Sequence, residues 1–396
     1  KEALEKGASY VLIDNDDYYI DERTILTEDS LETLQQLAKF HRDYLKLPII
    51  ALTGSNGKTT TKELIREVLS VKYRVTATEG NLNNSIGVPL TLLRINSETQ
   101  LAVVEMGASH PGDIKELVEI ALPNYGLITN VGKAHLLGFG NFEGVKKTKG
   151  ELYDYLRRTA DKVFINVDNP HLCQMASERN LQSDPERPYS LLLPYGLDYQ
   201  GGVVLFSDEK HPFLRILCGG VLINTNLVGS YNADNVMAAI AVGVHFGVSF
   251  EDAVKAIEAY VPSNNRSQMT KTENNTLIVD AYNANPTSMA AALENFSNVS
   301  AKCRIAMLGD MLELGEDSAA EHKAVVESAL SRTFCKVFFV GKEFGAVSSV
   351  ADGSSAMFFN TSDELAEYLR ANPVKDATVL IKGSRGTRME KVLPVL

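Results

Sequence analysis

The stretch Thr53-Gly54-Ser55-Asn56-Gly57-Lys58-Thr59-Thr60 gathers glycines, a lysine and several hydroxyls in one short turn. A glycine-rich turn that opens a helix presents backbone N–H groups to an anion, and the helix dipole favours negative charge there. Gly54, Ser55, Asn56, Gly57 and Thr60 would wrap a polyphosphate. Lys58 would reach its outer phosphates, and the Thr59 hydroxyl would face the Mg²⁺ they carry. The pattern G-x-x-x-x-G-K-[ST] needs glycine at position 52, where the chain has Leu52. The plainer alternative is an ordinary turn with a surface lysine.

Further candidates follow other strand-like runs. Glu105 closes an apolar run, where a carboxylate can ligate Mg²⁺ or cap the next turn. His135 is a lone imidazole beyond another strand; a structural role is its plainer reading, since Mg²⁺ prefers oxygen. Lys149 shares its helical stretch with Lys146 and Lys147, which suits a solvated face. Gly150 beside it costs a helix about 1 kcal/mol relative to alanine, so it points to something crowded near Lys149. Asn81 and Asn84 lie in an amide-rich loop that could read a polar ligand or close turns. Asn232 is placed to cap a helix, which leaves Asn235 in the first turn to face a ligand. Asp280, Asn283 and Asn285 follow one strand, and Ser384 and Arg385 another. The cationic loop around Arg385 suits a carboxylate or phosphate, with a solvated turn as the alternative.

These residues need a scaffold that sets strand ends side by side. Strands are expected at 49–52, 74–77, 101–105, 125–129 and 162–166, alternating with helices such as 112–121 and 142–158. Alternation of this kind predicts an α/β fold, a parallel sheet with helices on both faces and ligands at the strands' carboxyl ends. Short β runs follow at 203–206, 214–217 and 221–227, then helices at 232–246 and 250–259. A second, smaller α/β section begins near Ser263. Its strands are expected at 277–281, 304–308, 336–340 and 378–381, its helices at 286–296, 319–330, 363–370 and 385–392. Residues 262–265 are a candidate hinge. Residues 1–47 offer a strand at 10–13 and an amphipathic helix at 30–44 with Leu31, Leu34, Leu37, Ala38 and Phe40 inward. That is too little for a core of its own, and it reads as the remnant of a domain whose beginning is missing.

Composition narrows the partners. Lys plus Arg total 39 against 50 Asp plus Glu, a net charge of −11. A chain this acidic is not expected to coat nucleic acid or an anionic membrane. No apolar run is long enough to span a bilayer. The 4 cysteines are far apart and form no CxxC pair, which suits reduced thiols in the cytoplasm.

Together these stretches resemble the Mur ligases, within them most closely the members that join D-alanyl-D-alanine to a UDP-N-acetylmuramoyl-tripeptide. The resemblance rests on TGSNGKTT at 53–60, GNLNNSIGVPLTLL at 80–93, EMGASHPGDI at 105–114, NVGKAHL at 130–136 and KGEL at 149–152. It continues in NADNVMAA at 232–239, NRSQM at 265–269, DAYNANPTSM at 280–289, LGDMLELG at 308–315 and KGSRGTRME at 382–390. The glycine loop with Leu52 in place of glycine is the form this family uses. The resemblance implies three domains. Residues 1–47 would be what remains of a UDP-sugar-binding domain. Residues 48–262 would be the central ATP-binding domain, its phosphate loop on a parallel sheet. Residues 263–396 would be a Rossmann-like domain that binds the amine substrate and closes over ATP.

The implied reaction is an ATP-dependent amide ligation through an acyl phosphate, in cell-wall precursor synthesis. By resemblance Lys58 steadies the moving phosphoryl group, Thr59 and Glu105 hold one Mg²⁺, and His135 serves a second. Lys149 matches a carbamylated lysine whose anionic carbamate helps place a metal. Asn235, Arg266 and Asp280 match residues that touch ATP, with Asn283 beside them. Asn81, Asn84, Asn285, Ser384 and Arg385 fall to the substrates, the last two to the incoming dipeptide. A monomer without nucleic-acid or membrane partners is expected. Another Mur-type ligase, a folylpolyglutamate-type ligase and a non-ligating nucleotide switch are the alternatives.

Overall fold

The computed structural model describes residues 1–181, 191–207, 211–262, 266 and 268–396. Most of the candidate hinge at 262–265 lies outside the described residues, as do Asn265 and Ser267 of the NRSQM stretch.

In the first piece β1 (Val11–Ile13) pairs in parallel with β2 (Thr24–Leu26), and a helix follows at Ser30–Leu45. Asp29 caps that helix by accepting from the Glu32 N–H. The expected inward face is corrected. Ala38 and Arg42 are the buried residues of the helix, while Leu31, Leu37 and Phe40 are exposed. The reason is a neighbour that periodicity could not show. The Arg42 guanidinium reaches the end of helix Asp113–Ala121, donating to Ala121 O at 3.2 Å, to Leu122 O at 2.9 Å and to Asn124 Oδ1 at 3.0 Å. It thereby satisfies carbonyls that a helix end leaves without partners.

The central sheet contains β3 (Ile49–Thr53), β4 (Val75–Ala77), β5 (Leu101–Glu105), β6 (Tyr125–Ile128), β7 (Lys162–Asn166) and β8 (Leu192–Tyr195). Their order is β4-β5-β3-β6-β7-β8, and every pairing is parallel. A parallel sheet is covered on both faces, so its strands read as continuous apolar runs. Ile50 and Leu52 pack into the core on one face, Ile49 and Ala51 into that on the other. The chain leaves β3 toward β4 and leaves β6 toward β7, on opposite sides. A crevice therefore opens where the carboxyl ends of β3 and β6 meet.

A small antiparallel sheet follows, with β9 (Val203–Leu205), β10 (Arg215–Cys218) and β11 (Val221–Asn224). The second large sheet contains β12 (Gln268–Lys271), β13 (Asn275–Asp280), β14 (Arg304–Gly309), β15 (Lys336–Val340), β16 (Met357–Phe359) and β17 (Ala377–Lys382), in the order β12-β13-β17-β14-β15-β16. β12 is antiparallel to β13; the remaining pairings are parallel. β2, β8, β12 and β16 are edge strands or lie in the two-stranded sheet, and the sequence did not announce them. The helix expected at 385–392 is instead two 3₁₀ segments, Arg385–Thr387 and Met389–Val395. Arg388, in the left-handed region at φ 50°, separates them.

Removing Arg42 leaves those carbonyls buried and unpaired. Arg42→Ala is expected to lose about 2 kcal/mol or more, as for charged hydrogen bonds, seen as a lower thermal midpoint and faster proteolysis within residues 1–47. An unchanged midpoint and cleavage rate would contradict the bracing role.

Candidate active site

The turn after β3 is held open from three sides. Ser55 N donates to Asn130 O at 3.0 Å, and Asn56 N to Asn130 Oδ1 at 3.0 Å. Thr129 Oγ1 donates to Asn56 O at 2.6 Å. Gly57, at φ 77°, starts helix Lys58–Ser70, and a Cβ on it would stand 2.6 Å from Asn235 Oδ1. Glycine fits both that backbone and that gap. The third support crosses from the C-terminal sheet. Asn285 caps helix Pro286–Ser297 through its side-chain oxygen, while its Nδ2 donates to Asn56 Oδ1 at 2.7 Å.

The reactive groups gather around this turn. Lys58 Nζ donates to Gly54 O at 2.7 Å. Burial lowers its pKa; Glu105 opposes that shift and Arg266 adds to it. Glu105, at the end of β5, is 1% exposed. Its Oε1 accepts from Asn83 Nδ2 at 2.8 Å and from Thr59 Oγ1 at 3.3 Å. Its Oε2 is buried with no partner among the described residues. An unpartnered buried carboxylate oxygen beside a hydroxyl fits a hard cation. Among the described residues no three His, Cys, Asp or Glu side chains come together as a metal site. Phosphate oxygens would complete the shell of a Mg²⁺ held by Thr59 and Glu105, which is how Mg²⁺ is commonly bound.

His135 and Lys149 stand apart from that pair. His135 has a left-handed backbone (φ 52°), as does Glu313 (φ 62°). His135 Nδ1 meets Glu313 Oε2 across the seam between the two large sheets. Burial lowers the imidazole pKa, and Glu313 partly restores it. Lys149 is 1% exposed, its Nζ 3.4 Å from Ala108 O and 5.4 Å from the centre of the Phe139 ring. Its pKa falls well below the ordinary lysine value, first through burial and then through Lys58. The crowding predicted at Gly150 is real but differs in kind. A Cβ there would collide with the Arg179 guanidinium, which is paired with Asp154.

The opposite wall comes from the C-terminal sheet. β13 and β17 are paired in register, Asp280 opposite Lys382, and Lys382 Nζ donates to Asp280 Oδ2 at 2.6 Å. The Arg266 guanidinium lies 3.7 Å from the centre of the Tyr282 ring, a cation–π contact. The two walls enclose a cleft of about 820 Å³ lined by Lys58, Glu105, His135, Arg266, Asp280 and Asn283, among others. Asn81 and Asn84 line it too, although Asn84 Oδ1 closes a turn by accepting from Gly87 N at 2.8 Å. A smaller pocket of about 140 Å³ adjoins it and includes Asn285, Ser384 and Arg385.

One assignment is corrected here. Asn232 does not cap its helix with its side chain; its Nδ2 donates to Val228 O and its Oδ1 accepts from Asn235. Asn235 Oδ1 in turn accepts from Thr61 Oγ1 at 2.9 Å, so this amide braces the phosphate turn. Ser384 Oγ accepts from Leu312 N and donates to Ala284 O, which makes it part of the pocket floor. Asn83, Asn130, Tyr282, Lys382 and Glu313 had not been singled out. Asn83 and Asn130 sat unassigned inside the quoted stretches. Lys382 could have been found by setting the ends of the two strands side by side.

A buried lysine with a depressed pKa destabilises the fold at neutral pH. Between the folded value and about 10.4 the unfolded chain binds a proton that the native state lacks, so stability rises with pH. Lys149→Met is therefore expected to melt higher than the parent at pH 7 in CO₂-free buffer. Its advantage should shrink as pH approaches 10. A variant less stable at pH 7 would show that the amine is not desolvated. Gly150→Ala should destabilise despite alanine's helix propensity, and Arg179→Ala in the same chain should relieve it. Equal melting of the parent, the single variant and the double variant would remove the collision.

Residues 52–243 match the Mur ligase middle domain, and residues 265–385 match the Mur ligase glutamate ligase domain. The UDP-N-acetylmuramoyl-tripeptide–D-alanyl-D-alanine ligase of Bacillus subtilis is 35% identical over 99% of this chain and 86% of its own. The crystal structure of MurF from Acinetobacter baumannii superposes with a TM-score of 0.85 at 28% identity, over 99% of this chain and 86% of its own. MurF from Thermotoga maritima in complex with ADP gives 0.82 at 26% identity, over 100% and 89%. The motif-bearing turns, the two α/β sheets and these matches agree: the chain belongs to the Mur ligase family.

Proposed function

We propose that this chain is an ATP-dependent ligase that joins D-alanyl-D-alanine to UDP-N-acetylmuramoyl-tripeptide in peptidoglycan precursor synthesis. The observation that carries it is the meeting, in one cleft, of the phosphate turn with Glu105 on one wall and the Arg266, Asp280 and Lys382 group on the other. A nucleotide switch needs only the first wall. A folylpolyglutamate-type ligase shares the architecture, but the relatives at 35% and 34% identity carry the dipeptide-adding name.

The chemistry needs help because a carboxylate is a poor electrophile and must approach another anion. The tripeptide carboxylate attacks the γ-phosphorus of ATP, the P–O bond to ADP breaks, and an acyl phosphate forms. The amine of the dipeptide then adds to the carbonyl carbon, and phosphate leaves as the amide forms. Gly54 to Thr60 present N–H groups to the phosphates. Lys58 follows the moving phosphoryl group, where fixed positive charge lowers the barrier most. Thr59 and Glu105 would hold one Mg²⁺ and His135 would serve a second, supplying the charge neutralisation that two converging anions require. Arg266, Asp280 and Asn283 would position the nucleotide, with Asn81 and Asn84 turned to the UDP-substrate. Arg385 would face the dipeptide across a pocket floor to which Ser384 belongs.

A desolvated amine without a carboxylate partner is suited to react with CO₂, because the neutral form is the nucleophile. The proposed Lys149 carbamate would place an anion behind Ala108. Residues 1–47 have no core and would belong to a UDP-sugar-binding domain. No helix among the described residues is long and apolar enough to cross a membrane, and nucleotide substrates suit a cytoplasmic monomer.

Phosphate release is expected only with ATP, UDP-N-acetylmuramoyl-tripeptide and D-alanyl-D-alanine all present. Turnover indifferent to both substrates would sink the ligase reading, and turnover supported by a folate and glutamate would redirect it. Lys149→Ala should lose most activity without rescue by bicarbonate. ¹³C-bicarbonate should give a carbamate resonance in the parent that is absent from this variant. Full activity in Lys149→Ala would return the side chain to a packing role.

A further inference from the structure

The seam between the two walls contains an unusual pair. His135 and Glu313 both carry left-handed backbones, a conformation that L side chains rarely adopt, and their side chains meet. Most other non-glycine residues with positive φ have a plain local reason. Lys46, Leu122 and Ala160, for example, end helices. Neither His135 nor Glu313 ends a helix in this way. His135 precedes a short one, and Glu313 lies in the turn after Asp310. The conformation of Glu313 is held by Leu137 N, which donates to Glu313 O at 3.0 Å. Its carboxylate is thereby projected across the seam, and the side chain remains 56% exposed.

Glu313 lines both the large cleft and the small pocket beside it. Arg385 lines the same small pocket, and its guanidinium lies 5.7 Å from the centre of the Tyr282 ring. The lining of the pocket thus includes both a cationic group and a carboxylate. Glu313 stands toward the cleft that holds Lys58 and Glu105, and its Oε1 is not part of the His135 contact. A free dipeptide has the same charge pattern, with a carboxylate at one end and an ammonium at the other. Its ammonium nitrogen is the atom that must reach the activated carboxyl.

We infer that Glu313 binds the ammonium group of the incoming dipeptide, with Arg385 at the carboxylate end, so that the small pocket selects a zwitterion and aims its nitrogen into the cleft. This inference rests on the ligase reading above. It makes Glu313 a substrate-binding residue in the stretch LGDMLELG, contributed by the wall opposite the phosphate turn. Docking that wall would build the amine site and bring it to the activating half in one movement.

The test separates amine binding from activation. Hydroxylamine is a small neutral nucleophile that needs no ammonium site and captures an acyl phosphate as the hydroxamate. With Glu313→Gln, KM for D-alanyl-D-alanine is expected to rise roughly tenfold to a hundredfold, the range for one charged hydrogen bond. KM for ATP and for UDP-N-acetylmuramoyl-tripeptide should stay within about twofold of the parent, as should hydroxamate formation without dipeptide. Glu313→Asp should recover part of the dipeptide affinity, and both variants should keep the parent's thermal midpoint. A parallel fall in hydroxamate formation would overturn the inference and make Glu313 a brace for His135. Unchanged dipeptide KM would overturn it as well. A parent enzyme that forms neither amide nor hydroxamate would refute the ligase reading itself, and the inference with it.

Discussion

The amide pair between Asn56 and Asn285 is the contact on which the site depends. One side chain, Asn285, both caps a helix of the C-terminal sheet and holds the phosphate turn of the central sheet at 2.7 Å. A backbone turn that must bind phosphates through its N–H groups cannot also pack against its own domain on every side. Thr129 and Asn130 support it from just beyond β6, and the exposed flank is supported from the other wall. The phosphate turn is thereby linked to the small pocket that contains Asn285, Ser384 and Arg385.

Charge explains the rest of the arrangement. The chain is acidic overall, with a net charge of −11, yet the cleft draws several cations together. Lys58 is close enough to Lys149 to push its pKa down further, and burial lowers the pKa of both. Fully paired surface lysines would be more stable but would carry no field into the cleft. Unpaired, desolvated amines reduce stability and favour binding of phosphate, carboxylate or CO₂, the trade-off expected where a site is built for function. The orphaned Glu105 oxygen is the matching case of opposite sign.

Much of this was legible in the sequence. Parallel strands buried on both faces are continuous apolar runs, so β3, β5, β6, β7 and β13 were found nearly to the residue, and with them the strand-end positions of Glu105 and Asp280. Short edge strands such as β12 and β16 lacked that signal. The helix at residues 30–44 was found but turned the wrong way, because its buried face is set by Arg42 reaching the end of a helix far along the chain. Gly150 announced crowding without naming Arg179. Glu313 stayed hidden because nothing about a glutamate in a turn reveals a left-handed backbone or a partner 178 residues away. Pairwise contacts across the seam between domains are tertiary facts, and local patterns do not encode them.

In the proposed reaction the cleft activates a carboxylate by phosphorylation before the amine attacks. Labelling the terminal carboxylate of the UDP-N-acetylmuramoyl-tripeptide with ¹⁸O and analysing the released phosphate by mass spectrometry tests it most directly. One labelled oxygen is expected to pass to phosphate in each turnover. Unlabelled phosphate alongside amide product would contradict it.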